Sequence, residues 1–151
     1  MWLRWVNSNS PTGTGKTHIA MAYGYECCQY KLKTYFVKMS ELNDMFTQAR
    51  VYGRTGRVIS NLVKPSCLII DEVGHCVFDK ENTRMFFDLI DRRYNNEGPY
   101  TMIFTSNKQP SQWIHTAFKK GHWSVEKGTS GGQKRTILKL TDIVKETGFL
   151  A

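Results

Sequence analysis

Ser10-Pro11-Thr12-Gly13-Thr14-Gly15-Lys16-Thr17 is the most informative segment of this chain. It matches the phosphate-binding loop G-x-x-x-x-G-K-[ST] at every fixed position except the first, where serine replaces glycine. In such a loop, backbone N–H groups turn inward around an anion, and the following helix adds its positive dipole end. We therefore expect Lys16 to reach the β and γ phosphates of a nucleotide and Thr17 to bind Mg²⁺.

A short apolar run, Cys67-Leu68-Ile69-Ile70, ends in Asp71 and Glu72. A fully apolar run of this length is typical of a buried parallel strand, and open α/β sheets bind ligands at the carboxyl ends of their strands. Here the pair is interpreted as a Walker B element, in which Asp71 holds Mg²⁺ indirectly, through the ligands that contact the ion, and Glu72 polarises the attacking water. The alternative is a strand that ends in an acidic turn.

A third element, Thr101 to Thr105, is another β-rich run, and it is followed by Ser106 and Asn107. If its strand lies beside the strand that ends at Asp71, Asn107 points at the γ-phosphate and orients the attacking water, as a sensor residue does. Asn107 as an ordinary turn former is the alternative.

Two other classes of nucleotide-binding enzyme, GTPases and small-molecule kinases, also fit parts of this pattern. Asp71-Glu72-Val73-Gly74 matches the D-x-x-G of GTPases, and Asn107-Lys108 begins an N-K-x-D, but position 110 is proline and cannot accept hydrogen bonds from guanine. Adenine is therefore favoured. The loop alone also fits a small-molecule kinase, whereas the acidic pair Asp71-Glu72 favours hydrolysis.

The composition indicates one globular domain with a polyanionic partner. The chain has 151 residues, 40% of them hydrophobic, and a formal net charge of +8. It has no apolar run near the ~18 residues that span a bilayer and no signal-peptide core, so we expect no membrane association. The four cysteines, Cys27, Cys28, Cys67 and Cys76, have no metal-ligand spacing, and we interpret them as reduced, buried thiols of a cytoplasmic protein.

The positive charge is uneven along the chain. No acidic residue occurs from Met45 to Ile70, whereas Arg50, Arg54 and Arg57 lie there, with two glycines that loosen the segment. A flexible basic stretch of this kind can follow a DNA backbone. A solvated surface is the alternative.

The hydrophobic pattern predicts alternating helices and strands. A helix is expected over 17–30 with Ile19, Tyr23 and Cys27 on its buried stripe, and a strand over 34–39. Ser40 is the expected N-cap of a helix that buries Leu42, Met45, Phe46 and Ala49. Another helix is expected over 80–95, and its core side contains Phe86, Phe87, Leu89, Ile90 and Tyr94. This order predicts an α/β fold with a parallel sheet and helices on both faces.

These residues together resemble the IstB-like/DnaC-like ATP-binding family of AAA+ P-loop ATPases, which serve insertion-sequence transposition or helicase loading. The resemblance covers roughly residues 11–118. Its blocks are Pro11 to Ala20, Leu68 to Gly74, Arg92-Arg93-Tyr94, and Thr105-Ser106-Asn107 with Trp113. It implies a P-loop NTPase (AAA+) three-layer sandwich with a mainly parallel central sheet, and it implies ATP and Mg²⁺ as cofactors. The implied nucleotide contacts are Pro11, Thr12, Gly13, Thr14, Gly15, Lys16, Thr17 and His18.

The resemblance also implies partners. DNA association and ATP-dependent homo-oligomerisation are expected, with a transposase or a replicative helicase as the partner protein. The 17-residue stretch that begins near Arg50 falls in the part of the fold that can approach DNA.

The chain departs from the family pattern at both ends. Only Met1 to Asn9 precede the loop, with Leu3 and Val6 as their only aliphatic residues, so the pattern leaves open whether a strand lies there. We expect a family member truncated at its N-terminus, with a partial ATP-binding domain over 1–118 and a divergent basic tail over 119–151.

The family's catalytic arginine has no counterpart in the tail. No arginine occurs between Gln112 and Gln133, and the remaining candidates are Arg92 or Arg93 of a neighbouring subunit. Loss of such an arginine costs about 10³–10⁵ in rate.

The leading interpretation is an ATP-binding AAA+ accessory protein of transposition or replication that couples ATP binding and hydrolysis to DNA association. The alternatives are a basic DNA-binding remnant with weak or no ATPase activity, and a decayed protein that folds poorly.

Overall fold

A computed structural model describes residues 15–96, 100–108 and 113 with their side chains and residues 2–7 by their backbone. The elements are β1 (Trp2–Asn7), α1 (Lys16–Gln29), β2 (Thr34–Lys38), α2 (Met39–Val51), α3 (Thr55–Val63), β3 (Cys67–Asp71), α4 (Lys80–Tyr94) and β4 (Thr101–Ser106). The strands form one four-stranded parallel sheet in the order β1-β4-β3-β2. Among these described residues, no helix is long and apolar enough to cross a membrane.

Side chains of the inner strands alternate between two cores. Leu68 and Ile70 pack with α2, α3 and α4, whereas Ile69 between them packs with Ala20 and Cys27 of α1. This follows from the two-residue period of a strand. The sheet is therefore covered by α1 on one face and by α2, α3 and α4 on the other, which confirms the predicted three-layer arrangement.

The strand register brings the carboxyl ends of all four strands to one edge of the sheet. Lys38 lies opposite Asp71, Ile70 opposite Phe104, and Asn7 opposite Ser106. Residues that follow the strands consequently meet at this edge, as parallel sheets require.

The sequence left open whether a strand precedes the loop, and the structure contains one. The backbone of Trp2–Asn7 pairs with β4 over its whole length, from Trp2 opposite Thr101 to Asn7 opposite Ser106. Two tryptophans and a valine favour strand structure as aliphatic residues do.

The predicted buried stripe of α1 was wrong in part. Ile19 is 58% exposed, and the buried residues are Lys16, Ala20, Gly24 and Cys27. The reason is the close approach at Gly24, where an added Cβ would lie 2.8 Å from Ile69 Cδ1. Gly24 therefore faces the sheet, although the apolar pattern had predicted its larger neighbour Tyr23 for the buried stripe.

The segment that contains the basic residues is helical rather than loose. α2 begins at Met39, one residue before the predicted N-cap, and the Glu41 carboxylate accepts a hydrogen bond from the Lys38 N–H at 3.1 Å. Leu42, Phe46 and Ala49 are buried as predicted. Arg50 and Arg54 do not share a helix, because α2 ends at Val51 and α3 begins at Thr55.

The other predicted elements are present. β3 and β4 are buried at every residue. The core side of α4 contains the predicted apolar residues Phe86, Phe87, Leu89 and Ile90, whereas Tyr94 is 39% exposed. The prediction of four buried cysteines was wrong in part, because Cys27 and Cys67 are buried but Cys28, the next residue along α1, points away from the buried stripe of that helix and is exposed.

Candidate functional site

The start of α1 has the geometry of an anion-binding helix end. Gly15 caps the helix with φ 83°, a conformation that side-chain-bearing residues rarely adopt. Lys16 is the first helical residue and is buried, and no acidic residue occurs in the first turn. The positive end of the helix dipole is therefore not neutralised by acidic side chains of α1 itself.

Most of the other predicted nucleotide contacts lie outside the described residues, namely Pro11, Thr12, Gly13 and Thr14, together with Ser10. His18 is described and is exposed on the first turn of α1.

Thr17 and Asp71, the two residues predicted to hold Mg²⁺, lie together. The Thr17 hydroxyl donates a 3.0 Å hydrogen bond to Asp71 Oδ1. Asp71 follows Ile69 by two residues, so its side chain lies on the face that α1 covers. The register of β3 and β4 also places Thr105 beside Asp71, and the Thr105 hydroxyl donates to the same oxygen. The aspartate is 1% exposed and is held by hydroxyls from two elements.

The pair of oxygens fits the ion that the sequence predicts. Mg²⁺ prefers oxygen ligands, binds through one or two carboxylates and keeps several waters, and a hydroxyl with a buried carboxylate is such a set. Among the described residues there is no group of three or more His, Cys, Asp or Glu that could hold a metal. The donor set at Thr17 and Asp71 thus suits a hard cation such as Mg²⁺.

Glu72 stands immediately after β3 in a constrained turn. Its φ is 59°, which is rare for a residue with a side chain. Its N–H donates to the Thr105 hydroxyl at 3.1 Å, and the Val73 N–H donates to the Thr105 carbonyl at 2.9 Å. The carboxylate lies 3.7 Å from the Lys38 ammonium at the end of β2. Both side chains are about half exposed, so the pair orients Glu72 weakly.

Asn107 follows β4 at the same edge of the sheet and is exposed. Its Nδ2 lies 3.4 Å from Nε2 of His75, a residue of the turn after β3. Lys108, the next residue, also contacts the turn after β3, because its Nζ donates to the Gly74 carbonyl at 3.3 Å. The predicted sensor is therefore joined to the turn that carries Glu72.

Sequence reasoning missed three residues that shape the site: Lys38, His75 and Thr105. Thr105 carried part of a signal, since the two-residue period of a strand places it on the same face as Ile103, but the sequence did not show that α1 covers that face. Lys38 and His75 carried no such signal in the sequence. The contact of Lys38 with Glu72 depends on the order of the strands, and that of His75 with Asn107 depends on the turn after β3.

The three predicted DNA-contacting arginines differ in their surroundings. Arg50 donates to Asp79 Oδ2 at 2.6 Å and joins α2 to the N-cap of α4. The guanidinium of Arg54 lies 5.8 Å from the ring centroid of Tyr52, and Arg57 is exposed. Arg54 and Arg57 thus have the exposure that a polyanion requires, whereas Arg50 forms an internal ion pair.

Arg93 is completely buried, which contradicts its suggested action on a neighbouring subunit. Its guanidinium donates to the carbonyls of Leu62, Val63, Pro65 and Thr101 at 2.7 to 3.1 Å. Burial lowers the Arg93 pKa to about 10, so the group remains charged at neutral pH. Arg93 therefore ties the end of α3 to the start of β4.

Arg92, the neighbouring residue, is half exposed and pairs with Asp88 at 3.0 Å. It remains a predicted candidate for the catalytic arginine.

Comparison with known proteins identifies the family and the fold of this chain. The family model described as IstB-like ATP binding protein matches residues 6–122. The insertion sequence IS5376 putative ATP-binding protein of Geobacillus stearothermophilus is 36% identical over 103 residues, which cover 68% of this chain and 40% of that protein. This chain therefore spans less than half the length of that relative.

Two solved structures share the fold. The DnaC helicase loader superposes with a TM-score of 0.65 at 16% identity, covering 94% of this chain and 73% of that one. The replication initiator DnaA bound to AMPPCP and single-stranded DNA gives 0.68 at 16% identity, covering 96% and 45%. The fold is thus that of DnaC and DnaA AAA+ proteins, and the family match shows that the chain belongs to the IstB-like ATP-binding proteins.

Proposed function

We propose that this chain binds MgATP and is an ATP-binding accessory protein of DNA transposition, coupling ATP binding and hydrolysis to DNA association. The contact between Thr17 and Asp71 carries the proposal. It joins the start of α1 to the end of β3, the two places where a P-loop protein binds phosphate and metal. The family match supports nucleotide binding independently.

Each side chain at the edge of the sheet has a defined task in this proposal. Lys16 contacts the β and γ phosphates, Glu72 polarises the attacking water, and Asn107 orients that water. Thr17 and Asp71 would hold Mg²⁺, which supplies positive charge at the phosphates when it is bound. ATP is favoured over GTP because position 110 is proline, which cannot serve as the guanine-binding aspartate.

The test is titration of the purified protein with a fluorescent ATP analogue in the presence of Mg²⁺. Lys16→Ala removes the ammonium at the helix start, and Lys33→Ala is a matched control at the opposite edge of the sheet. Micromolar binding that Lys16→Ala abolishes and Lys33→Ala preserves supports the proposal. Equal, negligible binding by all three proteins contradicts it.

DNA association is proposed through Arg54 and Arg57, with Tyr52 beside Arg54. These side chains are exposed, and no acidic residue lies within 45–70 to oppose the field of the arginines. Arg50 is left out of this surface because Asp79 neutralises it.

The same basic surface favours a second candidate function, a DNA-binding protein with weak or no ATPase activity. DNA binding measured at several salt concentrations, with and without ATP, separates the two. Salt-sensitive binding that ignores ATP favours the second candidate, and ATP-dependent binding favours the first.

Partners of the complete protein belong to the same proposal. A transposase or replicative helicase, ATP-dependent assembly with further copies, and a cytoplasmic location are expected from the family and from the two replication proteins that share the fold. Hydrolysis is expected to be slow unless Arg92 of a neighbouring copy supplies the missing charge.

A further inference from the structure

His75 lies beside the predicted sensor, although no motif includes it. Its Nε2 is 3.4 Å from Nδ2 of Asn107. The two residues come from different connections, one after β3 and one after β4, and they meet where both strands end.

The backbones that carry the two residues are fixed to each other. The His75 N–H donates to the Glu72 carbonyl at 3.1 Å, which closes the turn after β3. The Ser106 hydroxyl donates to the carbonyl of Val73, and Lys108 Nζ donates to the carbonyl of Gly74. Contacts of the two residues that flank Asn107 with the turn that leads into His75 consequently hold the two backbones together.

Hydrogen-bond chemistry gives this contact a direction. The NH₂ group of asparagine can only donate, and Nε2 of His75 accepts this hydrogen bond in the tautomer that carries its proton on Nδ1. With the NH₂ group committed to His75, Asn107 presents its Oδ1 as an acceptor. An acceptor is what a water needs if it is to be oriented with a lone pair toward phosphorus.

We propose that His75 is a positioning residue that fixes the side-chain amide of Asn107, so that Oδ1 orients the attacking water. This inference rests on the proposed ATPase function. His75 touches neither nucleotide nor metal in this role, and it acts only through Asn107.

The test compares single-turnover ATP hydrolysis and ATP-analogue affinity in four variants. His75→Phe keeps an aromatic ring but has no acceptor, whereas the Oε1 atom of His75→Gln can still accept from Asn107. Asn107→Ala and the double variant His75→Phe/Asn107→Ala complete a cycle. We expect His75→Phe to slow hydrolysis roughly tenfold with unchanged affinity, because a small misplacement at a reacting centre costs up to about 100-fold.

The proposal also predicts that His75→Gln recovers the hydrolysis rate and that the rate losses of the two single variants do not add. His75→Gln should restore most of the rate, and the double variant should be no slower than Asn107→Ala alone. A ¹⁵N spectrum of the nucleotide-free protein gives a second readout, since the Asn107 side-chain NH₂ resonance, identified by its loss in Asn107→Ala, should shift in His75→Phe.

Three outcomes overturn the proposal. They are an unchanged rate in His75→Phe, additive losses in the double variant, and an NH₂ resonance that does not respond to His75→Phe. A wild-type protein that binds no ATP analogue overturns the proposed function itself and this inference with it. Wild-type binding and turnover together with an unaffected His75→Phe rate overturns the inference alone.

Discussion

The hydroxyl of Thr17 lies 3.0 Å from Oδ1 of Asp71, although 54 residues separate them in the chain. Two elementary facts bring them together. Thr17 is in the first turn of α1, and Asp71 ends a strand whose odd-numbered side chains face that helix. The contact is thus a consequence of sheet order and strand period.

Thr17→Val tests whether this pair binds Mg²⁺. Valine has nearly the shape of threonine but has no hydroxyl, so Mg²⁺-dependent affinity for an ATP analogue should fall by roughly ten- to a hundredfold, the worth of one hydrogen bond to a charged group. Affinity measured in EDTA should change little. Thr34→Val, at the far end of β2, is the control. An equal loss with and without Mg²⁺ would assign Thr17 a role in packing only.

Glu72→Gln separates binding from hydrolysis. Glutamine preserves the shape of the side chain and its reach, yet it cannot accept a proton from water. We expect analogue affinity to stay within about twofold and turnover to fall by about 10²–10⁴, the usual contribution of a positioned general base. Glu81→Gln alters an exposed carboxylate of α4 and is the control. Turnover that survives Glu72→Gln would mean that another group activates the water.

Arg93→Ala should destabilise the protein far more than Arg92→Ala. The first variant leaves four carbonyls without their guanidinium donor in the interior, and each unsatisfied group costs about 1–3 kcal/mol. The second removes an exposed pair within one helix, worth less than about 0.5 kcal/mol. Urea unfolding gives both free energies. Similar midpoints for the two variants would contradict the structural role of Arg93.

Arg92 and Arg93 also show which features of the protein the sequence could predict and which it could not. The motifs located Lys16, Thr17, Asp71, Glu72 and Asn107 because their chemistry requires fixed residue types at fixed spacing. Arg92 and Arg93 look alike in the sequence, and only the packing of α3 against α4 buries one and exposes the other. The contacts of Lys38 and His75 likewise depend on which strand ends beside which.

The ion pair between Arg50 and Asp79 should make stability depend on pH. Burial opposes ionisation of Asp79, but the Asn82 N–H and Arg50 outweigh it, so the pKa of Asp79 lies below its usual 3.8. A lowered carboxyl pKa contributes stability above pH 3.8, and that stability is lost as the pH falls through the folded-state pKa.

Asp79→Asn isolates this charge, because asparagine caps a helix about as well as aspartate. At pH 7 the variant should be less stable than wild type by up to about 1 kcal/mol, since the pair is partly exposed. The difference should shrink as the pH falls below 3.8, as followed by urea unfolding at each pH. Asp44→Asn, at an exposed carboxylate on α2, is the control. A difference that persists to pH 2 would show that the loss comes from packing and not from charge.

Gly24→Ala should push α1 away from the sheet. The added Cβ would lie 2.8 Å from Ile69 Cδ1 and 3.2 Å from Thr34 Cγ2, and Ile69 is buried and has little room to move. Overpacking of this kind costs about 1–3 kcal/mol, more than the ~1 kcal/mol that alanine gains over glycine in a helix.

Gly56→Ala is the matched control, since nothing lies within 4 Å of a Cβ at this position in α3. It should leave the free energy of unfolding unchanged or raise it by up to about 1 kcal/mol. Because α1 carries Thr17, Gly24→Ala should also weaken Mg²⁺-dependent binding of an ATP analogue, whereas Gly56→Ala should not. Loss of stability in Gly24→Ala without loss of binding would show that the Thr17–Asp71 contact tolerates a displaced helix.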